Sequence, residues 1–522
     1  MVTLYDTTLR DGAQTEGISY SVHDKIRITQ KLDQLGIHFI EGGWPGSNPK
    51  DMKFFSEMKK IKLKNAKLVA FGSTCRTDVI AKKDKNLQSL VASGVNVVTI
   101  FGKTWDLHVE SVLKTTLEKN LKIISESISF LKSKKMTVFY DAEHFFDAYK
   151  ANPRYALKTL LAAQNAGASM LILCDTNGGT LTKDLSAIIE KIKKQTKAPL
   201  GIHVHNDLGL GVANSITAVE QGCSQVQGTF NGYGERCGNA DLCAIIGILK
   251  TKMDVNCLAD NKLKELTETS YFISEISNVK HQDNQPFVGY SAFAHKGGVH
   301  IDAMKKHQKT YEHIDPQIVG NRRRFLVSEL AGKTPIILKA KEIELDVDKK
   351  SPKTKKILKL LQELEHQGYQ FEAADASFEL FIKRAFKKYK RFFDLEGFKV
   401  MVEKRSDNRV LAEATIRVKV NKKERYTAAE GDGPVNALDN ALRNALNEFY
   451  PNLAKMHLSD FKVRVLDAKA GTAAKVRVLI ESQDEADSWT TVGVHENIIE
   501  ASWQALVDSV EYKLLKDSKA KK

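Results

Sequence analysis

The chain has 522 residues, of which 42% are hydrophobic and 27% charged. These are values of a folded globular protein too long for one ordinary domain. Its 79 Lys and Arg against 64 Asp and Glu leave a formal charge of +15, but the lysines are spread over helical stretches and interleaved with acids. The excess therefore reads as a solvated surface and argues against a nucleic-acid partner. No apolar run is long enough to cross a bilayer, and Met1-Val-Thr-Leu-Tyr5 leads into a strand without a basic-then-apolar leader, so a cytoplasmic protein with no membrane association is expected.

In chain order, β-branched runs alternate with amphipathic helical stretches through about residue 250. The expected strands are Thr3–Thr7, His38–Gly43, Leu68–Phe71, Val97–Phe101, Thr137–Tyr140, Met170–Cys174, Leu200–Val204 and Gln225–Phe230. Repeated strand–helix units at this spacing predict a parallel sheet, and eight of them predict a closed (β/α)8 barrel. "Leu-Gly-Ile-His" and "Ala-Gly-Ala-Ser" read as helix ends with Gly at the C-cap, each followed by a strand. From about 251 to 394 the pattern is mainly helical, with a Lys-rich stretch at Asp346–Lys356. From Leu395 it turns to strands with two helices and holds a weak internal repeat: Lys423–Ala428 through Asn436–Leu442 parallels Asp487–Val492 through Asn497–Leu506. The expected division is a barrel over 1–275, helical linker subdomains over 276–394 and an α+β regulatory domain over 395–516, with a frayed charged tail after Lys516. Six scattered cysteines form no Cys-x-x-Cys pair and read as reduced, mostly buried thiols.

Polar residues gather at the predicted strand ends: Asp6, Glu41, Ser73, Glu143, Asp175-Thr176, His203 with His205, and Asn231. In a barrel these ends open onto one face, where active sites sit. Residues i and i+2 of a strand point the same way, so His-Val-His at 203–205 presents two imidazoles together. Asp11, just after the first strand, can add a carboxylate. The Gly-rich loop Asn231-Gly-Tyr-Gly-Glu-Arg-Cys-Gly-Asn239 can deliver the Asn239 amide oxygen; it matches neither a Walker loop nor a dinucleotide fingerprint. Two histidines and oxygen ligands suit a divalent metal ion, Mn, Zn, Mg, Co or Fe(II), with open positions that a 2-oxo acid can chelate. Arg10 either neutralises developing oxygen charge or pairs with Asp6. Glu143 is either a base or a hydrogen-bond acceptor behind one. Thr176 either holds a carboxylate or caps its loop.

"Asp-Thr-Thr-Leu-Arg-Asp-Gly-Ala-Gln" at 6–14, "His-Val-His-Asn-Asp" at 203–207 and "Gly-Thr-Phe-Asn-Gly-Tyr-Gly-Glu-Arg-Cys-Gly-Asn-Ala" at 228–240 together resemble the barrel metallo-enzymes that include isopropylmalate, homocitrate and citramalate synthases and hydroxymethylglutaryl-CoA lyases. The resemblance implies a metal site at Asp11, His203, His205 and Asn239, keto-acid contacts from Arg10 and Thr176, and a catalytic Glu143. "Phe-Ala-His-Lys-Gly-Gly-Val-His-Ile-Asp" at 293–302 resembles the segment that follows the barrel in the synthases. It implies that His300 is catalytic and reaches the active site of the other protomer of a homodimer, with Asp302 and Tyr311 on the acetyl-CoA side; His295 is expected to cap a helix. This long extension argues against a lyase.

The segment Glu41–Asp51 resembles the longer type of citramalate synthase, and Trp44 within it would narrow the pocket to pyruvate. The implied reaction is an acyl transfer that condenses acetyl-CoA with pyruvate to (R)-citramalate in isoleucine biosynthesis. An isopropylmalate or homocitrate synthase, or a lyase on the same barrel, are the alternatives. The C-terminal repeat resembles the leucine-binding module of isopropylmalate synthases. That implies isoleucine as effector, or else a dimerisation module without a ligand.

Overall fold

The structure is a computed structural model, and it describes residues 2–296, 298–325, 352–369, 371, 374–386, 389, 391–466, 471, 473–485 and 487–520. The eight expected runs are strands: β1 Thr3–Asp6, β2 Phe39–Gly43, β3 Lys67–Ser73, β4 Val97–Lys103, β5 Thr137–Glu143, β6 Met170–Asp175, β7 Leu200–Val204 and β8 Gln225–Gly228. All pair in parallel with their neighbours, and β8 returns to β1, closing the barrel. Three strands differ from the sequence reading for a visible reason. β4 and β5 keep their register as far as Lys103 opposite Glu143, so both run on beyond Phe101 and Tyr140. β8 stops at Gly228 because Thr229 instead pairs with the returning loop, Thr229 N donating to Ala240 O and Leu242 N to Thr229 O.

The helices start and stop on local signals. Val22–Leu35 begins in a Ser21/Asp24 capping box and ends at Gly36, whose φ of 106° is the left-handed C-cap that only glycine takes without strain. Alternation within each strand sorts residues into two sets. One set packs outward under the helices as the main apolar core. The other fills the barrel: Tyr5, Phe39, Val69, Val97, Phe139 and Met170 form its apolar floor, and polar side chains stand above them toward the strand ends.

The chain forms two compact units, residues 1–293 with 313–323, and 294–312 with 324–522. Between barrel and C-terminal region the expected helices appear as Leu266–Ile276, Gly298–Lys306, Pro352–His366 and Asp375–Ala385. A short parallel pairing of β9 Ala294–His295 with β10 Arg324–Phe325 stands among them. The first part of the Lys-rich stretch, 346–351, lies outside the described residues.

The C-terminal region is a clear twofold repeat. Antiparallel β11 Asp394–Lys404, β12 Val410–Val420 and β13 Lys423–Gly431 precede the helix Pro434–Leu446. Antiparallel β14 His457–Val465, β15 Val476–Gln483 and β16 Ser488–His495 precede the helix Ile498–Ala520. Both copies share one apolar core that includes Ile416, Leu442, Ile480, Trp489 and Leu506. The last helix does not fray after Lys516 but continues to Ala520. Lys513 pairs with Asp484 (2.9 Å) and Asp517 (2.8 Å), and the Lys516 ammonium lies 4.7 Å from the Trp489 ring centroid. Among the described residues no helix is long and apolar enough to cross a membrane.

Candidate active site

The strand alternation that fills the barrel also builds the site. His203 and His205 project from the end of β7, and their Nε2 atoms lie 3.4 Å apart. Asp11 Oδ2 sits 3.3 Å from His203 Nε2. Ligand atoms of these three buried residues all lie within 4.8 Å of one another, so Asp11, His203 and His205 could hold a metal ion. Asn239 joins them through its Nδ2, which donates to Asp11 Oδ2 (2.7 Å), while its Oδ1 is buried without a donor. The loop that brings it there is tightly wound. Asn231 and Arg236 take left-handed backbone angles. A Cβ on Gly238 would lie 2.0 Å from Gly232 O, and one on Gly234 would lie 2.4 Å from Asn239 Oδ1.

Behind the histidines, Gln227 on β8 accepts at Oε1 from His203 Nδ1 (3.0 Å) and donates from Nε2 to Asp141 (3.3 Å). That bond holds a proton on Nδ1 and turns Nε2 toward Asp11; burial pushes His203 down, but the Asp11 carboxylate outweighs it and raises His203, favouring a proton on Nε2 that a metal ion bound there would replace. Burial pushes Asp11 up, but Arg10 and then His203 outweigh it and hold its carboxyl far below the usual carboxylate range. Burial and the neighbouring His203 push His205 down to about 4, which keeps that imidazole neutral. An ionised carboxylate, two imidazole nitrogens and a buried amide oxygen fit a divalent cation.

Arg10 does not pair with Asp6. Its Nε donates to Glu41 Oε1 (2.6 Å), and its guanidinium approaches Asp11 (3.3 Å) and stacks 3.8 Å above the Phe71 ring. Glu41 is fully buried and also accepts from the Tyr5 hydroxyl (2.6 Å), so the guanidinium is fixed from below. Asp6 instead accepts from the backbone N and hydroxyl of Thr8, and burial pushes its carboxyl up to about 7. Trp44 packs edge-on to Phe71 and Phe101, both at 5.7 Å, and its Nε1 donates to Asn86. An aromatic wall thus continues from Arg10.

Glu143 and Thr176 stand on neighbouring strand ends. The Glu143 carboxylate pairs with Lys103 Nζ at 2.5 Å. Thr176 accepts at its hydroxyl oxygen from His144 N (2.8 Å), which leaves its O–H proton free to donate; its carbonyl accepts from Arg236 (2.8 Å), itself clamped on Asp207. Lys103, Glu41 and Gln227 are the contributors that sequence reasoning missed in these roles.

His300, Asp302 and Tyr311 belong to the second unit. The structure brings His300 and Tyr311 together, their rings stacked with centroids 4.0 Å apart, and Asp302 lies on the same helix as His300. His295 is not a helix cap: it lies in β9, and its Nε2 pairs with Glu312 (3.2 Å).

Three family models match the chain: HMGL-like over residues 1–273, homocitrate synthase post-HMGL domain-like over 287–368, and the LeuA allosteric (dimerisation) domain over 372–514. The chain is 57% identical to an (R)-citramalate synthase of Geobacter sulfurreducens over 99% of this chain and 98% of that relative. It is 54% identical to one of Aquifex aeolicus over the same shares. A 2-isopropylmalate synthase of Methanocaldococcus jannaschii is 33% identical over 99% of this chain and 96% of its own length.

Proposed function

The chain belongs to the citramalate synthase family, acyltransferases built on an HMGL-like barrel, and on that premise we propose that it condenses acetyl-CoA with pyruvate and hydrolyses the thioester, giving (R)-citramalate and CoA. The observation that carries the reading is the convergence of Asp11, His203 and His205 beside an Arg10 locked by Glu41. A divalent cation, Mn, Zn, Mg or Co, held by these residues and Asn239 would polarise the keto carbonyl of pyruvate as a Lewis acid.

The chain's own groups do the rest. Thr176 donates its free hydroxyl proton to the pyruvate carboxylate. Glu143 takes a proton from the acetyl methyl group, and the resulting carbon attacks the keto carbon. Arg10 faces the oxygen on which charge then develops, and its planar fork stays in place because Glu41 and Phe71 hold it. Water then cleaves the thioester, releasing CoA. His300, with Asp302 and Tyr311, serves the acetyl-CoA side from the partner protomer of a homodimer. Trp44, with Phe71 and Phe101, sets the size of acid admitted. Apolar size selection discriminates only about 1–3 kcal/mol per methylene, so some turnover of 2-oxobutyrate is expected.

The proposed division is a barrel over 1–275, a linker over 276–394 and a regulatory domain over 395–516. In this reading the regulatory domain binds isoleucine, the enzyme works in isoleucine biosynthesis, and it acts in the cytoplasm. Inhibition by isoleucine that survives removal of residues from 395 onward would refute the effector. The reaction itself is tested by thiol release from acetyl-CoA with pyruvate, 2-oxoisovalerate and 2-oxoglutarate. Pyruvate is expected to be the best substrate; preference for either larger acid would point to an isopropylmalate or homocitrate synthase instead.

A further inference from the structure

We propose that Lys103 is a positioning residue for the condensation: it holds the Glu143 carboxylate aimed at the methyl group of the acyl donor. This rests on the reading of Glu143 as the base.

The register of the barrel makes the pair. Lys103 and Glu143 are direct partners at the ends of β4 and β5, so both side chains leave the sheet on the same side. Their charged atoms are 2.5 Å apart and both side chains are about one-fifth exposed. Glu143 needs such a partner, because the strand breaks off behind it: His144 takes a left-handed φ of 54°, which ends the ladder at Glu143. A flexible carboxylate at a strand end samples several rotamers, and few of them aim at a given carbon.

Lys103 is itself held. Its carbonyl accepts from Asn120 Nδ2 (2.8 Å), a fully buried amide that also reaches the Tyr155 hydroxyl (2.8 Å). Its ammonium lies 5.6 Å from the Phe101 ring centroid, against the same aromatic wall that carries Trp44 and, through Phe71, Arg10. His108 and His144, whose rings meet edge to face at 4.7 Å, flank the pair, and burial keeps His108 below its ordinary value. Lys103 is therefore the fixed cation beside Glu143. The pair is partly solvated at the barrel mouth rather than sealed in the core, so its removal is expected to change geometry at the carboxylate more than stability.

The test compares K103M, K103R, E143Q and K103M/E143Q in the full-length enzyme, measuring kcat and KM for each substrate and the thermal midpoint. For K103M the expected result is a fall in kcat of about 10²-fold, with the pyruvate KM changed less than about twofold and the midpoint moved by no more than ~2 °C. K103R, whose guanidinium reaches the same carboxylate, recovers most of kcat. The double variant is no slower than E143Q alone, because Lys103 acts only through Glu143. Parental kcat in K103M, no recovery in K103R, or multiplied losses in the double variant would each overturn the proposal while Glu143 stands as base. A fully active E143Q would remove the base assignment and the proposal with it.

Discussion

The barrel mouth and the C-terminal repeat are opposite solutions for the same kind of chain. The repeat is regular: two copies of three antiparallel strands and a helix, sharing one core of Ala, Leu, Val, Ile and Trp. The mouth breaks local rules. It buries Asp6, Asp11, Glu41, Asp141 and two histidines, leaves Asn239 Oδ1 without a donor, and bends the 231–238 loop through left-handed residues. Such features oppose folding and persist only where surrounding structure enforces them. Regular packing supplies the stability that offsets the buried charges and strained backbone of the mouth.

The contrast can be broken by mutation. The largest effect is expected from His203→Ala, which should abolish metal binding and cut turnover at least ~10³-fold while circular dichroism stays unchanged; elemental analysis of the purified variant and thiol release check it. In the repeat the expected effect is the reverse in kind. Ile480→Ala, at a fully buried position, should lower stability by about 2–5 kcal/mol and leave kcat of the folded protein near parental, as denaturant titration and kinetics would show. A smaller effect at the mouth is expected from Gln227→Leu, which frees the His203 tautomer and should weaken metal affinity about 10–100-fold in calorimetric titration.

The smallest effect is expected at an ionic cluster of the second unit. Arg384 Nη2 pairs with Asp508 (2.8 Å) and lies 3.7 Å from Glu511, whose carboxyl burial pushes up from 4.5 to about 7. The folded chain therefore holds this proton more tightly than the unfolded chain, and the group's contribution to stability falls as pH rises from about 4.5 through about 7. Glu511→Gln, which cannot ionise, should raise the thermal midpoint relative to the parent by ~2–4 °C at pH 8 and by much less at pH 5.

Much of the mouth was legible because its residues announce themselves locally. The histidine pair stands at strand spacing, and Asp11 and Asn239 sit in loops directly after strands. Lys103 was missed because β4 reads as ending at Phe101: Gly102 interrupts the β-branched run, and only pairing with β5 shows that the strand continues. Glu41 reads as one more polar strand end, since its partner Arg10 comes from another strand's loop. Gln227 and Asp141 carry no signal at all, because their meaning lies in contacts 24 and 86 residues apart. In the repeat, only strand, turn and helix were visible. The preceding strands β11 and β14 are largely exposed and carry many charges, so no shared apolar pattern marks them.

In the proposed reaction Asp11, His203 and His205 hold a cation that acyl transfer to pyruvate requires. The most direct measurement is thiol release from acetyl-CoA with pyruvate, using enzyme stripped by a chelator and then titrated with Mn, Mg, Zn and Co. The predicted result is no release from the stripped enzyme and recovery with at least one divalent ion. Undiminished release from stripped enzyme would contradict the claim.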